Sequence, residues 1–343
     1  MDLESSRSPD FFLFGCERSG STLLANLLST HPDIYTVNDS FVYQIFAKSY
    51  LEQSSDGADR VRRRFVRYFR NTLANRSTWL YNLAMNARAK LRHSKPTAYI
   101  PPTDDLPGAD YAVDKLLCGH YVKNLLAHYL QPLPGQKEPT WLAEYAERFD
   151  RDAILRTCAA KGWTARPLLD ACFAQCIPHE HRRDSIVGEK TPAHIYYSPW
   201  IRHLYPHDKF IVLMRSPLSN IAAIYKRAGK NLSAAIDLYK STYHPQFYFL
   251  YDGSSSLPVK YEQLISNPQA TMERIYRYLG VNPEQQDGDA PRPTSDYIKQ
   301  AYVGADIDPA RDRSLRKLLS TEEQNTIRRE CREIIERFFP EDL

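Results

Sequence analysis

The feature that most restricts this chain is the apolar run Phe11-Phe12-Leu13-Phe14, which feeds directly into Gly15-Cys16-Glu17-Arg18-Ser19-Gly20-Ser21-Thr22. An apolar stretch, Leu23 to Leu28, comes next and is stopped by His31-Pro32, so the order reads as strand, glycine-bounded loop, helix. Gly15 and Gly20 keep the G-x-x-x-x-G spacing of a phosphate loop, yet Ser21-Thr22 stand where a nucleotide-hydrolysing loop carries Lys followed by Ser or Thr. An anion can still be held there, because successive backbone N–H groups and the positive end of the following helix need no side-chain charge. Arg18 adds a charge from inside the loop. The competing reading is a plain strand-turn-helix connection, since a pair of glycines alone says little.

The same strand-then-helix order recurs. Phe210-Ile211-Val212-Leu213-Met214 ends in Arg215, and Ser216-Pro217 offers an N-cap and a first helical residue. Leu257-Pro258-Val259-Lys260-Tyr261 reads as a further strand, after which Asn267-Pro268 opens a helix that Leu279-Gly280 closes. Ser320 with Glu323 forms a capping box for a last helix running toward Phe339. Strands alternating with helices predict an α/β fold, a parallel sheet flanked by helices of the P-loop-like kind, within one domain spanning 1–343. Residues 41–183 break the pattern. Aromatic residues and arginines there fall on helical periods, which predicts a mostly helical insertion or lid on the acceptor side, including a basic amphipathic helix over Arg60 to Arg70.

With 343 residues, 43% of them hydrophobic, the chain can bury a full core. Its formal charge of +4 is too mild to call for nucleic acid but suits an anionic ligand. Apolar runs are too short for a signal segment or a membrane span, which predicts a cytoplasmic protein with no membrane span. The six cysteines show no CxxC spacing, as expected of free thiols in a reducing compartment.

The run Arg18-Ser19-Gly20-Ser21-Thr22-Leu23, with His31-Pro32-Asp33 after it, resembles the 5′-phosphosulfate loop of the sulfotransferases that use 3′-phosphoadenosine 5′-phosphosulfate (PAPS), nearest the tyrosylprotein and bacterial branch. Three later segments resemble the same family: Met214-Arg215-Ser216-Pro217, Val259-Lys260-Tyr261-Glu262, and Ser295-Asp296-Tyr297-Ile298-Lys299. The resemblance covers residues 11–42 and 185–340. It implies that Arg18, Ser19, Gly20, Ser21, Thr22 and Leu23 hold the 5′-phosphosulfate, that Arg215 grips the 3′-phosphate, that Tyr261 contacts the adenine, and that Ser295 and Lys299 close over the donor. The serine that usually assists Arg215 is replaced by Ala223, a place that Ser216 or Ser219 can fill through the helix N-terminus.

The implied reaction is sulfuryl transfer from PAPS to a hydroxyl or amine of a small acceptor, with adenosine 3′,5′-bisphosphate (PAP) as the product and no metal ion. In-line displacement needs positive charge where the leaving phosphate gains negative charge, and a base for the acceptor's proton. Lys190, in Val187-Gly188-Glu189-Lys190-Thr191-Pro192, matches the family's lysine for the first task. Asp39 falls at the position of the branch's catalytic glutamate; it also reads as a helix N-cap before Phe41 to Phe46. His120 and His194 are rival bases, since other branches use a histidine. Two other readings stay open: a P-loop kinase or nucleotide hydrolase of the same fold, and a PAPS-binding protein without turnover. The acceptor's identity and the oligomeric state are not written in these residues.

Overall fold

A computed structural model of the chain describes residues 6–53, 106–132, 140, 142–227, 231–285 and 309–343. Within them, five strands form one parallel sheet: β1 (Phe11–Gly15), β2 (Ile34–Asn38), β3 (Ile186–Lys190), β4 (Lys209–Met214) and β5 (Leu257–Lys260), in the order β2-β3-β1-β4-β5. Every pairing is parallel. A parallel sheet is covered on both faces, which is why β1 and β4 read as unbroken apolar runs. On one face Phe12 and Phe14 stack on Phe210, with ring centroids 5.7 and 5.9 Å apart. On the other, Phe11 and Leu13 join Leu24, Ile211, Met272 and Ile275. Gly188 is required in β3, because a Cβ there would run into the ring of Phe11 on the neighbouring strand.

Helix α1 (Ser21–Leu28) follows β1, and after β2 come α2 (Val42–Gln53), α3 (Lys115–Leu130), α4 (Ala143–Arg148), α5 (Arg151–Lys161) and α6 (Ala165–Gln175). After β3 lie α7 (Ser198–Leu204), then β4, α8 (Pro217–Ala222), α9 (Leu232–Thr242) and β5. The C-terminal part holds α10 (Tyr261–Ser266), α11 (Pro268–Leu279), α12 (Pro309–Arg316), α13 (Thr321–Glu330) and α14 (Arg332–Phe338). Helices α1 and α11 cover the face carrying Phe11 and Leu13, while the helices between β2 and β3 pack with α9 and α14 on the other. No helix among the described residues is long and apolar enough to cross a membrane, and no disulfide joins the six buried cysteines.

Several local expectations are met by the chain's own capping chemistry. The Asn267 carboxamide accepts from the Ala270 amide, Gly280 ends α11 at φ 83°, and the Ser320–Glu323 capping box is present. Others differ. Ile34 to Asn38 form a fifth strand that the sequence reading passed over, because Tyr35 and Thr36 interrupt an apolar run only five residues long. The last helix breaks at Cys331 into α13 and α14. Tyr261 opens α10 instead of ending β5. Ser216 precedes α8 but its side chain does not cap it; its hydroxyl donates to Asp342 instead. The expected basic helix over Arg60 to Arg70, and Ser295 and Lys299, lie outside the described residues.

Candidate functional site

Parallel strands all point one way, so the residues after each strand gather at one edge of the sheet. The glycine loop succeeds β1, Asp39 succeeds β2, Lys190 is the last residue of β3, Arg215 succeeds β4 and Tyr261 succeeds β5. The chain leaves β1 toward β2 on one side and later places β4 on its other side. A reversal of strand order at the carboxyl edge is where open α/β sheets form their ligand crevice.

The loop is held from behind. The Ser19 amide donates to the Cys16 carbonyl at 3.1 Å, the Asn220 side-chain amide to the Glu17 carbonyl at 2.8 Å, and the Arg215 guanidinium to the Arg18 carbonyl at 2.9 Å. Arg18 and Gly20 both take left-handed backbone conformations, at φ 65° and 100°. Gly20 is demanded twice over, since a Cβ there would also lie 2.6 Å from the ring of Tyr261. No side chain caps the first turn of α1, which leaves its amides for a ligand. The Ser19 hydroxyl is buried at the base of the loop without a partner among the described residues, and the Arg18 side chain is exposed. An uncapped helix start, an orphaned hydroxyl and a cation at the rim together offer donors of the kind that can receive a phosphate-bearing anion.

Beside the loop sits the second cation. Lys190, whose side chain is only 1% exposed, donates from Nζ to Thr22 Oγ1 at 3.3 Å and to Asp39 Oδ1 at 3.2 Å. Asp39 is placed by its own backbone: its amide donates to the Lys190 carbonyl at 2.6 Å, and its φ is 57°. Helix α2 begins at Val42, so Asp39 is not its N-cap, and its carboxylate faces Lys190 instead. Ser21 and Leu23 are buried in the first turn of α1, where they seat the helix on the sheet.

At the far side, Arg215 is already engaged. Its Nε and Nη2 donate to Asp312 Oδ1 at 3.2 and 2.7 Å, and its guanidinium lies over the Tyr261 ring, 4.1 Å from the centroid. Ser219 donates to Asp312 Oδ2 at 2.8 Å and accepts from Arg316 Nε at 2.7 Å. Arg316 also reaches Asp342 at 2.8 Å, and Asp342 accepts from Ser216. Of the two serines named as substitutes for Ala223, Ser219 is the one whose hydroxyl shares Asp312 with Arg215, while the Ser216 hydroxyl is turned to Asp342. Ala223 itself is buried and opens a π turn after α8. Tyr261 in this arrangement wedges between Gly20 and Arg215. Next to it, burial raises the Glu262 carboxyl above its ordinary range, although the Ser216 amide donating to it at 2.9 Å works the other way.

The two histidines are placed differently. His194 is fully buried; its Nδ1 meets Glu189 Oε2 at 2.9 Å and its Nε2 accepts from the Gln44 amide at 3.4 Å, so neither ring nitrogen is presented to a ligand. His120 is on α3, 3.1 Å from the Asn124 side-chain amide, which also donates to Ser49 on α2. The structure therefore brings together Arg18, Ser19, Gly20, Thr22, Asp39, Lys190, Arg215, Ser219 and Tyr261. Reading by sequence missed Asp312, which pairs with Arg215 from far along the chain, Arg316 and Asp342, which extend that network, and Glu189. A carboxylate and a histidine five residues apart, following the apolar Ile186-Val187, were a local signal for the last.

Solved structures that resemble the chain include the sulfotransferase domain from the Synechococcus PCC 7002 olefin synthase, with 15% identity, 92% of this chain and 90% of that chain covered, and a TM-score of 0.48. The sulfotransferase domain from the curacin biosynthetic pathway gives 13%, 96%, 98% and 0.49 by the same measures. For the sulfotransferase STF1 from Mycobacterium tuberculosis H37Rv they are 13%, 96%, 77% and 0.39. No curated protein matches the sequence. The pattern of the Sulfotransferase family matches residues 9–285, most of the chain's length. On that match, this chain belongs to the sulfotransferase family.

Proposed function

We propose that the chain transfers a sulfuryl group from PAPS to a hydroxyl or amine of a small acceptor. One observation carries this reading: a buried lysine, Lys190, stands between Thr22 of an anion loop that has no lysine of its own and a carboxylate, Asp39. Bound PAPS would supply an activated sulfuryl group, whose bond to the 5′-phosphate oxygen breaks as the acceptor's oxygen or nitrogen bonds to sulfur. The amides of the Gly20 to Thr22 turn and the Arg18 guanidinium bind the 5′-phosphosulfate. Lys190 donates a hydrogen bond to the phosphate oxygen as negative charge builds there, an interaction that strengthens in the transition state and so lowers the barrier. Asp39 accepts the acceptor's proton. Its contact with Lys190 keeps the carboxylate aimed while no acceptor is bound.

Arg215 would meet the 3′-phosphate by exchanging the Asp312 carboxylate for it, a like-for-like swap of anions on a guanidinium. The helices between β2 and β3 would form the acceptor side, since Asp39 lies where the chain passes from the sheet into them. The test supplies PAPS and a panel of small phenols, alcohols and amines, and follows bisphosphate formation. Formation that depends on one of them and falls on the order of 10²- to 10³-fold in Lys190→Ala is expected. Tight bisphosphate binding with no PAPS turnover, to an acceptor or to water, would leave a silent binder and overturn the proposal.

A further inference from the structure

The turn that carries Asp39 is strained and held from all sides. Asp39 and Phe41 adopt φ 57° and 54°, left-handed values that residues with side chains rarely keep unless the surroundings enforce them. The backbone from Asn38 to Ser40 has fixed partners. The Tyr145 hydroxyl donates to the Asn38 carbonyl at 2.7 Å, the Asp39 amide to Lys190 at 2.6 Å, and the Tyr129 hydroxyl to the Ser40 carbonyl at 2.5 Å. The Ser40 side chain donates to Glu189 Oε1 at 2.7 Å.

Glu189 gathers this arrangement. It precedes Lys190 on β3, and alternation along the strand sends the two side chains to opposite faces. Lys190 goes to the loop and Glu189 goes under the turn. Fully buried, Glu189 accepts from Ser40 and from Thr191 Oγ1 at 2.5 Å on one oxygen and meets His194 on the other at 2.9 Å. Burial alone would raise its pKa, but His194 beside it and the hydrogen bonds from His194, Thr191 and Ser40 bring it below the ordinary glutamate range, so it stays a carboxylate. The same groups cap α2, whose preceding residue Phe41 has no polar side chain to do so. The Phe41 amide lies 3.5 Å from Thr191 Oγ1, the Val42 amide 3.5 Å from Ser40 Oγ, and the Gln44 amide 3.4 Å from His194 Nε2.

We propose that Glu189, acting through Ser40 with Thr191 and His194 bonded to it, is a positioning residue that locks the 39–41 turn and so fixes the Asp39 carboxylate against Lys190. The inference rests on the reading of Asp39 as the base. A misplacement of about 1 Å in a reacting group costs on the order of 10²-fold in rate, so the turn's rigidity is a catalytic quantity even though Glu189 touches no reacting atom.

The test uses the full chain and Ser40→Ala, Ser40→Thr and Asp39→Asn variants, with Glu189→Gln added where it folds. PAP binding is measured by calorimetry. Bisphosphate release from PAPS with water as acceptor is followed in single turnovers, and the distance from Lys190 Nζ to Asp39 Oδ1 is read from a crystal structure of Ser40→Ala. Expected are PAP affinities within about two-fold of the parent, a Ser40→Ala rate lower by roughly 10- to 100-fold, rescue by Ser40→Thr, and loss of the 3.2 Å contact. A Ser40→Ala variant that is less stable yet keeps both the contact and the parental rate, with Asp39→Asn slow, would overturn the positioning role alone. A full rate in Asp39→Asn would overturn the base reading itself.

Discussion

The two ends of the crevice are built from the same materials and left in opposite states. At the loop end the cation at the rim, Arg18, is exposed, the first turn of α1 is uncapped, and Ser19 keeps a buried hydroxyl without a partner among the described residues. At the other end Arg215 is engaged: it pairs with Asp312, whose other oxygen takes Ser219 and Arg316, and Arg316 reaches on to Asp342. The loop end is ready for an anion, whereas the Arg215 end already holds one of its own. On the proposed reading, the 5′-phosphosulfate would meet Arg18, the first-turn amides and the Ser19 hydroxyl directly, while the 3′-phosphate would have to compete with the Asp312 carboxylate for Arg215.

Either end can be put to the test by substitution. The largest effects belong to the loop end: Lys190→Ala should lower turnover by on the order of 10²- to 10³-fold with little change in PAP affinity, because the lost donor matters most as charge develops. Asp39→Asn should reduce turnover on the order of 10²-fold or more, again with PAP bound normally. If His120→Ala falls further than Asp39→Asn, the base is on α3. Arg18→Ala should weaken PAP by roughly 10- to 100-fold, the range of a lost charge-assisted hydrogen bond, and activity should fall with it.

At the closed end the expected changes are smaller and of opposite sign. Asp312→Asn removes the internal competitor, so the preference for PAP over adenosine 5′-monophosphate should widen by roughly 5-fold, measured by calorimetry on both nucleotides. An unchanged preference would mean that Arg215 does not meet the 3′-phosphate. The smallest effect concerns Glu262. Its folded-state pKa is raised above the ordinary 4.5, so the folded protein holds the proton more tightly and stability falls as pH rises through that interval. Glu262→Gln keeps an oxygen for the Ser216 amide and should stabilise by about 1 kcal/mol or less above the interval and by nothing below it, seen as a Tm difference between neutral pH and pH 4.

The loop end was legible in the sequence and the closed end was not, for a physical reason. Gly15 to Thr22 is a local signal, in which one strand, one loop and one helix start specify the anion nest within a dozen residues. Lys190 and Asp39 were legible only through the family resemblance, by their places relative to the loop and to the Gly188-Glu189-Lys190-Thr191-Pro192 run. Asp312 lies 97 residues from Arg215, and Asp342 lies 126 residues from Ser216, so no spacing rule could pair them. Glu189 hid behind alternation: the strand was read for Lys190, and the neighbouring side chain on the other face was passed over. His194 was weighed as a base because a lone histidine carries no sign of its burial, and only its partner Glu189 explains it.

Calorimetric titration of the folded chain with PAP, and separately with magnesium-ATP, bears most directly on the proposal that the loop holds a nucleotide by its amides and Arg18, with no lysine of its own. Saturable PAP binding, unaffected by magnesium and weakened by roughly 10- to 100-fold in Arg18→Ala, is predicted. Magnesium-ATP binding that displaces PAP, or no PAP binding at all in folded protein, would contradict it.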